Sequence, residues 1–376
     1  MITNILLTDM KHYFLLFILL LVIITIEGCT EELHPETNGT NSPVLNEGEL
    51  TKAVLDLSVN TFAVEAQAET RASIPSNIPE NETSEEKEVH NIWVFQYDAV
   101  TKELLIKPRY YTITDQIMLQ DLPVYLKAGI PSFVYVVTNT GYDNWVNDDT
   151  DTSWQKFKNL EQLKKQTLPT AFPLRSIDKV SIPMVGASEE VEVTTGITVT
   201  VPVTRMYAKL KVKVEMLKAE MKLNNVNVRQ IPNICRIETF AGDGNGEPMN
   251  AVPFPDGTTF SSIAFAASDL EKSEDKEWAV FYVPENLQGE IENQGGNKSD
   301  AAPTNALVVD VTAEIGGEKY LYAAYPGGNS LNNFNIQRNQ VYRMTLTITG
   351  EKGQNNPSSN CFVVKPNGFL SFEPYY

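Results

Sequence analysis

Catalysis needs particular side chains at particular spacings, and this 376-residue chain supplies few of them. It holds three histidines and three cysteines, with 30 Lys and Arg against 48 Asp and Glu, for a formal charge of −18. His12 lies in an apolar leader and His34 in the polar tract after it, which leaves only His90 beside a strand-like segment. That excludes a multi-histidine metal site, and a histidine-based triad would rest on His90 alone. An exposed loop histidine is the plainer reading. There is no G-x-S-x-G elbow, no phosphate-cradling glycine loop and no H-E-x-x-H. Carboxylate pairs such as Glu189-Glu190 and Asp148-Asp149 are what an acidic composition requires, and strand neighbours point to opposite faces. Asp143, Asp148, Asp149 and Asp151 form an oxygen-rich loop, but it lacks the EF-hand glycine and terminal glutamate, so a solvated loop fits better than calcium. The acid surplus repels phosphate backbones and anionic lipid, so nucleic acid is not an expected partner. No catalytic residue, metal or cofactor is expected.

The cysteines say more. Residues 13–26 are an apolar run, long enough for a signal h-region and short for a comfortable membrane span. Lys11 supplies the positive flank, and Met10 is an alternative start to Met1. Ile26-Glu27-Gly28-Cys29 resembles a bacterial lipobox, with Glu27 where a small residue is usual. Read so, 1–28 is a lipoprotein signal peptide, and Cys29 becomes the lipidated first residue, carrying palmitate into the outer membrane. The alternatives are a simple membrane anchor and a cysteine there by chance. Glu31 and Glu32 follow at once and resemble the surface-export signal of Bacteroidetes lipoproteins. Residues 29–49 have little to bury and read as a flexible tether. Cys235 and Cys361 remain, either as one disulfide or as two partly buried free thiols, and no CxxC exists for structural zinc.

The rest of the chain must be positioned by strands. Over 206–216, Met206, Ala208, Leu210, Val212, Val214 and Met216 point one way, while Lys209, Lys211, Lys213 and Glu215 point the other. This predicts a half-buried strand with one wet face. Further strands are expected at 91–97, 104–113, 132–138, 180–185, 191–203, 226–228, 277–283, 306–315, 319–325 and 341–349. Gly196 marks a bulge or a turn between two shorter strands, and Gly316-Gly317 a tight hairpin. One helix is expected, capped by Ser153 and burying Trp154, Phe157, Leu160 and Leu163. Near the start, Leu55, Leu57 and Val59 share a face. Phe62 and Val64 continue it after a break that implies a bulge or a strand end. Length and pattern point to an all-β protein of two β-sandwich domains.

Several segments then become specific together: Val89-His90-Asn91-Ile92-Trp93-Val94-Phe95-Gln96-Tyr97-Asp98, Arg205-Met206-Tyr207-Ala208-Lys209-Leu210, Phe281-Tyr282-Val283-Pro284-Glu285-Asn286-Leu287-Gln288-Gly289, Tyr325-Pro326-Gly327-Gly328-Asn329 and Phe334-Asn335-Ile336-Gln337-Arg338-Asn339-Gln340-Val341-Tyr342. In this order and spacing they resemble the Bacteroidetes fimbrillin superfamily, the subunits and accessory proteins of donor-strand-assembled type V pili. The resemblance implies two tandem transthyretin-like β-sandwiches after the signal peptide and tether. The first would span 50–205, with its first strand at about 50–66 and a cleavage loop at about 67–88, and the second 206–376. It also implies a cut by a trypsin-like protease after the matching Arg71, leaving Ala72 as the new N-terminus. Residues 359–372 resemble a segment that precedes an additional module in longer tip-like members; the tail is either truncated or itself a donor strand.

The function so implied is that of a non-enzymatic cell-surface fimbrial subunit, accessory or tip, assembled by donor-strand exchange and mediating adhesion. Its partners would be other fimbrial subunits, the outer membrane through the lipid on Cys29, the maturation protease and a receptor. Physically, removing a strand from a sandwich exposes an apolar groove and unpaired backbone, which a strand from another subunit can fill. The main alternative is a surface glycan-binding lipoprotein of a nutrient-uptake system, marked by aromatics on one exposed face and no removable strand. A two-carboxylate surface hydrolase is a third reading, and would need a deep cleft.

Overall fold

Period-two alternation dominates this chain, and it folds as an all-β protein. A computed structural model describes residues 49–64, 82–113, 119–141, 153–169, 174–178, 181–238, 250–273, 276–292, 298–328, 332–348 and 361–362. In chain order the first strands are β1 (Leu50–Val59), β2 (Ala63–Val64), β3 (Asn91–Asp98), β4 (Arg109–Thr112), β5 (Leu122–Lys127), β6 (Pro131–Thr138), β7 (Thr167–Pro169), β8 (Leu174–Arg175), β9 (Met184–Ala187) and β10 (Val191–Glu192). They are followed by β11 (Thr198–Arg205), β12 (Tyr207–Met216), β13 (Met221–Pro232), β14 (Ile234–Arg236), β15 (Phe260–Ala266), β16 (Trp278–Pro284), β17 (Val308–Ile315), β18 (Glu318–Ala324), β19 (Gln340–Ile348) and β20 (Cys361–Phe362).

The largest sheet runs β4-β3-β6-β9-β11-β1-β5, with β10 paired to β6. A second sheet runs β2-β19-β12-β16-β8 and a third β15-β13-β17-β18-β20, while β14 pairs with β7. Inward residues of β1, β5 and β11 share one core with those of β3 and β6, including Leu55, Leu126, Val201, Val94 and Val136. The opposite face of β3 buries Trp93, Phe95 and Tyr97 against Phe157, Leu163, Tyr207, Tyr282 and Val341. Both faces of β3 are therefore covered, which accounts for its unbroken apolar run. The second and third sheets close on another core, centred on Leu210, Val228, Phe281, Val311 and Met344. Gly186 lets β9 approach β11, because a Cβ there would meet the Pro202 carbonyl oxygen at 1.9 Å.

Most expected strands form, and the differences have local causes. Within 104–113 only β4 is regular; Leu104 makes an isolated bridge to Tyr97, and Pro108 has no N–H to offer a ladder. The segment 226–228 is the middle of the much longer β13, whose asparagines mask it and whose register shifts at two points. The expected helix divides into a 3₁₀ turn, Ser153–Phe157, and a helix, Leu160–Lys164. Its cap is Asn159 rather than Ser153: the Asn159 side chain accepts from the Gln162 N–H at 2.9 Å. The four expected apolar residues are all buried nonetheless. Gly196 sits in a turn between β10 and β11, and Gly316-Gly317 closes a two-residue hairpin with Ile315 opposite Glu318. The wet face of β12 is a correction: Lys209 is 4% exposed, and only from Lys211 onward does that face open.

Candidate functional site

β1 is held on both sides. Its first half pairs antiparallel with β5, from Leu50 opposite Lys127 to Leu55 opposite Leu122, and its second half pairs parallel with β11, from Val54 opposite Thr198 to Val59 opposite Val203. Alternation turns Thr51, Ala53, Leu55 and Leu57 into the core and leaves Lys52 and Ser58 exposed. Burial of such side chains stabilises by about 1.5–3 kcal/mol each for the larger ones.

At Val59 the strand ends, and the chain crosses from the first sheet to the second. Asn60 N–H donates to the Val203 carbonyl at 2.9 Å and its side-chain amide to Thr204 Oγ1 at 2.8 Å. Three residues beyond Asn60 the chain is β2, paired parallel with β19. The crossing is fastened by Arg205, which is fully buried at the end of β11. Its Nη1 donates to the Asn60 carbonyl at 2.7 Å, to Asn339 Oδ1 at 3.2 Å and to Glu82 Oε1 at 3.4 Å, and its Nε donates to the Glu86 carbonyl at 2.9 Å. Nη2 has no hydrogen-bond partner among the described residues. Phe62 N–H donates to Glu82 Oε1, and Asn339 Nδ2 donates to the Thr61 carbonyl at 2.8 Å. Asn339 adopts φ +57°, a conformation that asparagine tolerates better than most residues.

Beneath this lies a second buried charge. Glu86, fully buried in the 3₁₀ turn Glu85–Lys87, takes Lys209 Nζ at 2.8 Å, the Tyr282 hydroxyl at 2.5 Å and the Thr83 N–H at 2.9 Å. Burial pushes the Arg205 guanidinium below its ordinary pKa, and the attraction of Glu82 and Glu86 recovers only part of that. Burial also raises the Glu82 carboxyl, but hydrogen bonds from Lys87 and the Phe62 N–H, with the charges of Arg205 and Lys87, outweigh it and hold it below 4.5. Both ends of the segment 65–81 therefore come down on one arginine, 60–62 from one side and 82–86 from the other.

A second buried arginine, Arg338, lies in the turn just before β19. Arg338 donates twice to Glu285, Nε to Oε1 at 3.0 Å and Nη2 to Oε2 at 2.7 Å, and also to the carbonyls of Arg236, Ile237 and Glu238. Cys235 is buried and forms no disulfide, and burial lifts its thiol to about 12.

Cys29, Glu31, Glu32, Arg71, Ala72 and the aspartates at 143, 148, 149 and 151 lie outside the described residues. His90 is half-buried rather than exposed, with Nε2 3.6 Å from Glu88 Oε2. Glu189 and Glu190 are exposed, as expected of solvated carboxylates. The sequence marked Arg205 and Asn339 as parts of segments, Phe62 as part of the first strand and Lys209 as a wet-face lysine, but not Glu82 or Glu86. Those two carry no local pattern and are placed by the chain crossing.

Residues 281–346 match the family "Domain of unknown function (DUF4906)", a span from β16 to β19. No curated protein matches the chain. Among solved structures it is similar to a protein of Parabacteroides distasonis proposed to act in cell adhesion: TM-score 0.48, 13% identity, over 86% of this chain and 95% of that one. It is also similar to the tip fimbrial protein Mfa3 of Porphyromonas gingivalis with a C-terminal truncation: TM-score 0.46, 15% identity, covering 81% and 97%. A fimbrial assembly protein of Parabacteroides distasonis gives TM-score 0.45 and 14% identity, covering 81% and 93%.

Proposed function

We propose that this protein is a non-enzymatic, cell-surface fimbrial subunit, accessory or tip, that joins other subunits by donor-strand exchange after its first strand is cut away. The carrying observation is the place of β1. It is the first described strand, yet it lies inside the largest sheet, with β11 on one side and β5 on the other. Withdrawing it leaves two backbone edges unpaired and the pockets of Ala53, Leu55 and Leu57 empty, a state that a strand from another subunit relieves. The connecting segment 65–81 contains Arg71, the cleavage position in this reading, with Ala72 as the new N-terminus and a trypsin-like enzyme as its protease.

The reading includes a lipid on Cys29, export directed by Glu31 and Glu32, and sandwiches divided at 205/206. The turn from β11 to β12 at Met206 supports that division. The short β2, β7 and β8 nevertheless pair with strands beyond it.

The test is direct. Surface material from cells should consist of polymers whose subunits begin at Ala72, and Arg71→Ala should retain the longer chain and lose the polymer. An Arg71→Ala protein whose surface form has unchanged mass would sink the cleavage step.

A further inference from the structure

The resident strand beside β11 continues across to β19, and the crossing point is chemically particular. Phe62 is 5% exposed. Its ring centroid lies 4.2 Å from the Arg205 guanidinium carbon and 5.7 Å from Lys209 Nζ, within the cluster that holds Tyr207, Tyr282 and Val341. A cation near an aromatic ring is attracted to its negative face, and more strongly where water is excluded. Lys209 is held by Glu86, and Arg205, which loses its bond to the Asn60 carbonyl when the strand departs, keeps those to the Glu86 carbonyl, Glu82 and Asn339. The pocket, with its cationic wall, is built by parts of the chain that stay behind when the strand departs.

We infer that this pocket selects the incoming strand, and that its partner is an extended segment of another polypeptide bearing an aromatic side chain at the crossing. The partner's preceding residues alternate, apolar side chains entering the sites of Ala53, Leu55 and Leu57. An aliphatic residue at the crossing fills volume but presents no negative face to the two cations. This deepens the strand-exchange reading and rests on it.

The experiment uses the full chain with a specific protease site placed between Val64 and Glu82. After cutting, the resident strand is exchanged against a labelled synthetic peptide of residues 50–64, followed by fluorescence anisotropy. The Phe62→Leu peptide should bind about fivefold to thirtyfold more weakly than the native peptide. The Phe62→Ala peptide should lose at least about a hundredfold. Because only the peptide changes, the folding of the cut chain is the same in every arm. A Phe62→Leu peptide that binds as tightly as the native one overturns aromatic selection while leaving strand exchange standing. No uptake of the native peptide overturns both.

Discussion

Arg205 and Arg338 are both withdrawn from solvent, at 0% and 7% exposure, yet they are satisfied to different degrees. Arg338 has a bidentate carboxylate and three carbonyls; the attraction of Glu285 outweighs the cost of burial, and its pKa rises. Arg205 has one long contact to a carboxylate, three shorter ones to two carbonyls and an amide, and one nitrogen without a partner; burial prevails, and its pKa falls. What each fastens also differs. Arg338 ties 236–238 to the turn at Glu285, pieces that stay together in every state proposed here. Arg205 ties Asn60 to Glu82 and Glu86, on either side of the segment proposed for cleavage. A buried charge that is incompletely satisfied contributes less to holding its elements together than one that is fully paired.

The largest effect should follow from breaking the complete pair. Arg338→Met leaves Glu285, whose side chain is 11% exposed, without its cation, and should lower stability to urea by about 3–5 kcal/mol. Adding Glu285→Leu should restore most of that loss. Arg205→Gln should cost less, about 1–3 kcal/mol, because Glu82 keeps Lys87 at 2.8 Å and Glu86 keeps Lys209 and Tyr282. Its distinctive mark is local: in a chain cut between 64 and 82, release of β1 should quicken more than global unfolding does. Equal losses of stability from the two variants would break the comparison.

How much of this was legible in the sequence depends on whether the decisive contact was local. The alternation of β1, β12 and β19 was readable because period-two burial is written along one strand. Gly316-Gly317 was readable because its turn demands positive φ at both residues. Lys209 was misread for the opposite reason. Its alternation is intact, but the segment that covers it, 82–86, is more than a hundred residues away and carries no apolar signature. The same holds for β5 and β15, short strands with proline, serine or a broken pattern, made regular only by their neighbours. The break between Val59 and Phe62 was visible, but that it marks a passage between two sheets is a fact of pairing.

The smallest effect separates the two arginines by pH. Glu82 has a folded pKa below 4.5, so its contribution is complete above about pH 4.5 and is lost as pH falls through the depressed folded value. Because Lys87 is largely exposed, the contribution is about 1 kcal/mol or less. Protonating Glu82 removes its charge contacts with Lys87 and Arg205 and weakens the acceptor for the Phe62 N–H, all at the crossing. Release of β1 from the cut chain, measured as peptide exchange, should therefore accelerate as pH drops below 4.5. Glu82→Gln should remove that dependence, since glutamine keeps an oxygen for the Phe62 N–H but does not titrate there. Glu86, which holds Lys209 and the Tyr282 hydroxyl, is the neighbouring carboxylate at this crossing. If acid speeds release equally in Glu82→Gln, the sensitive group is not Glu82.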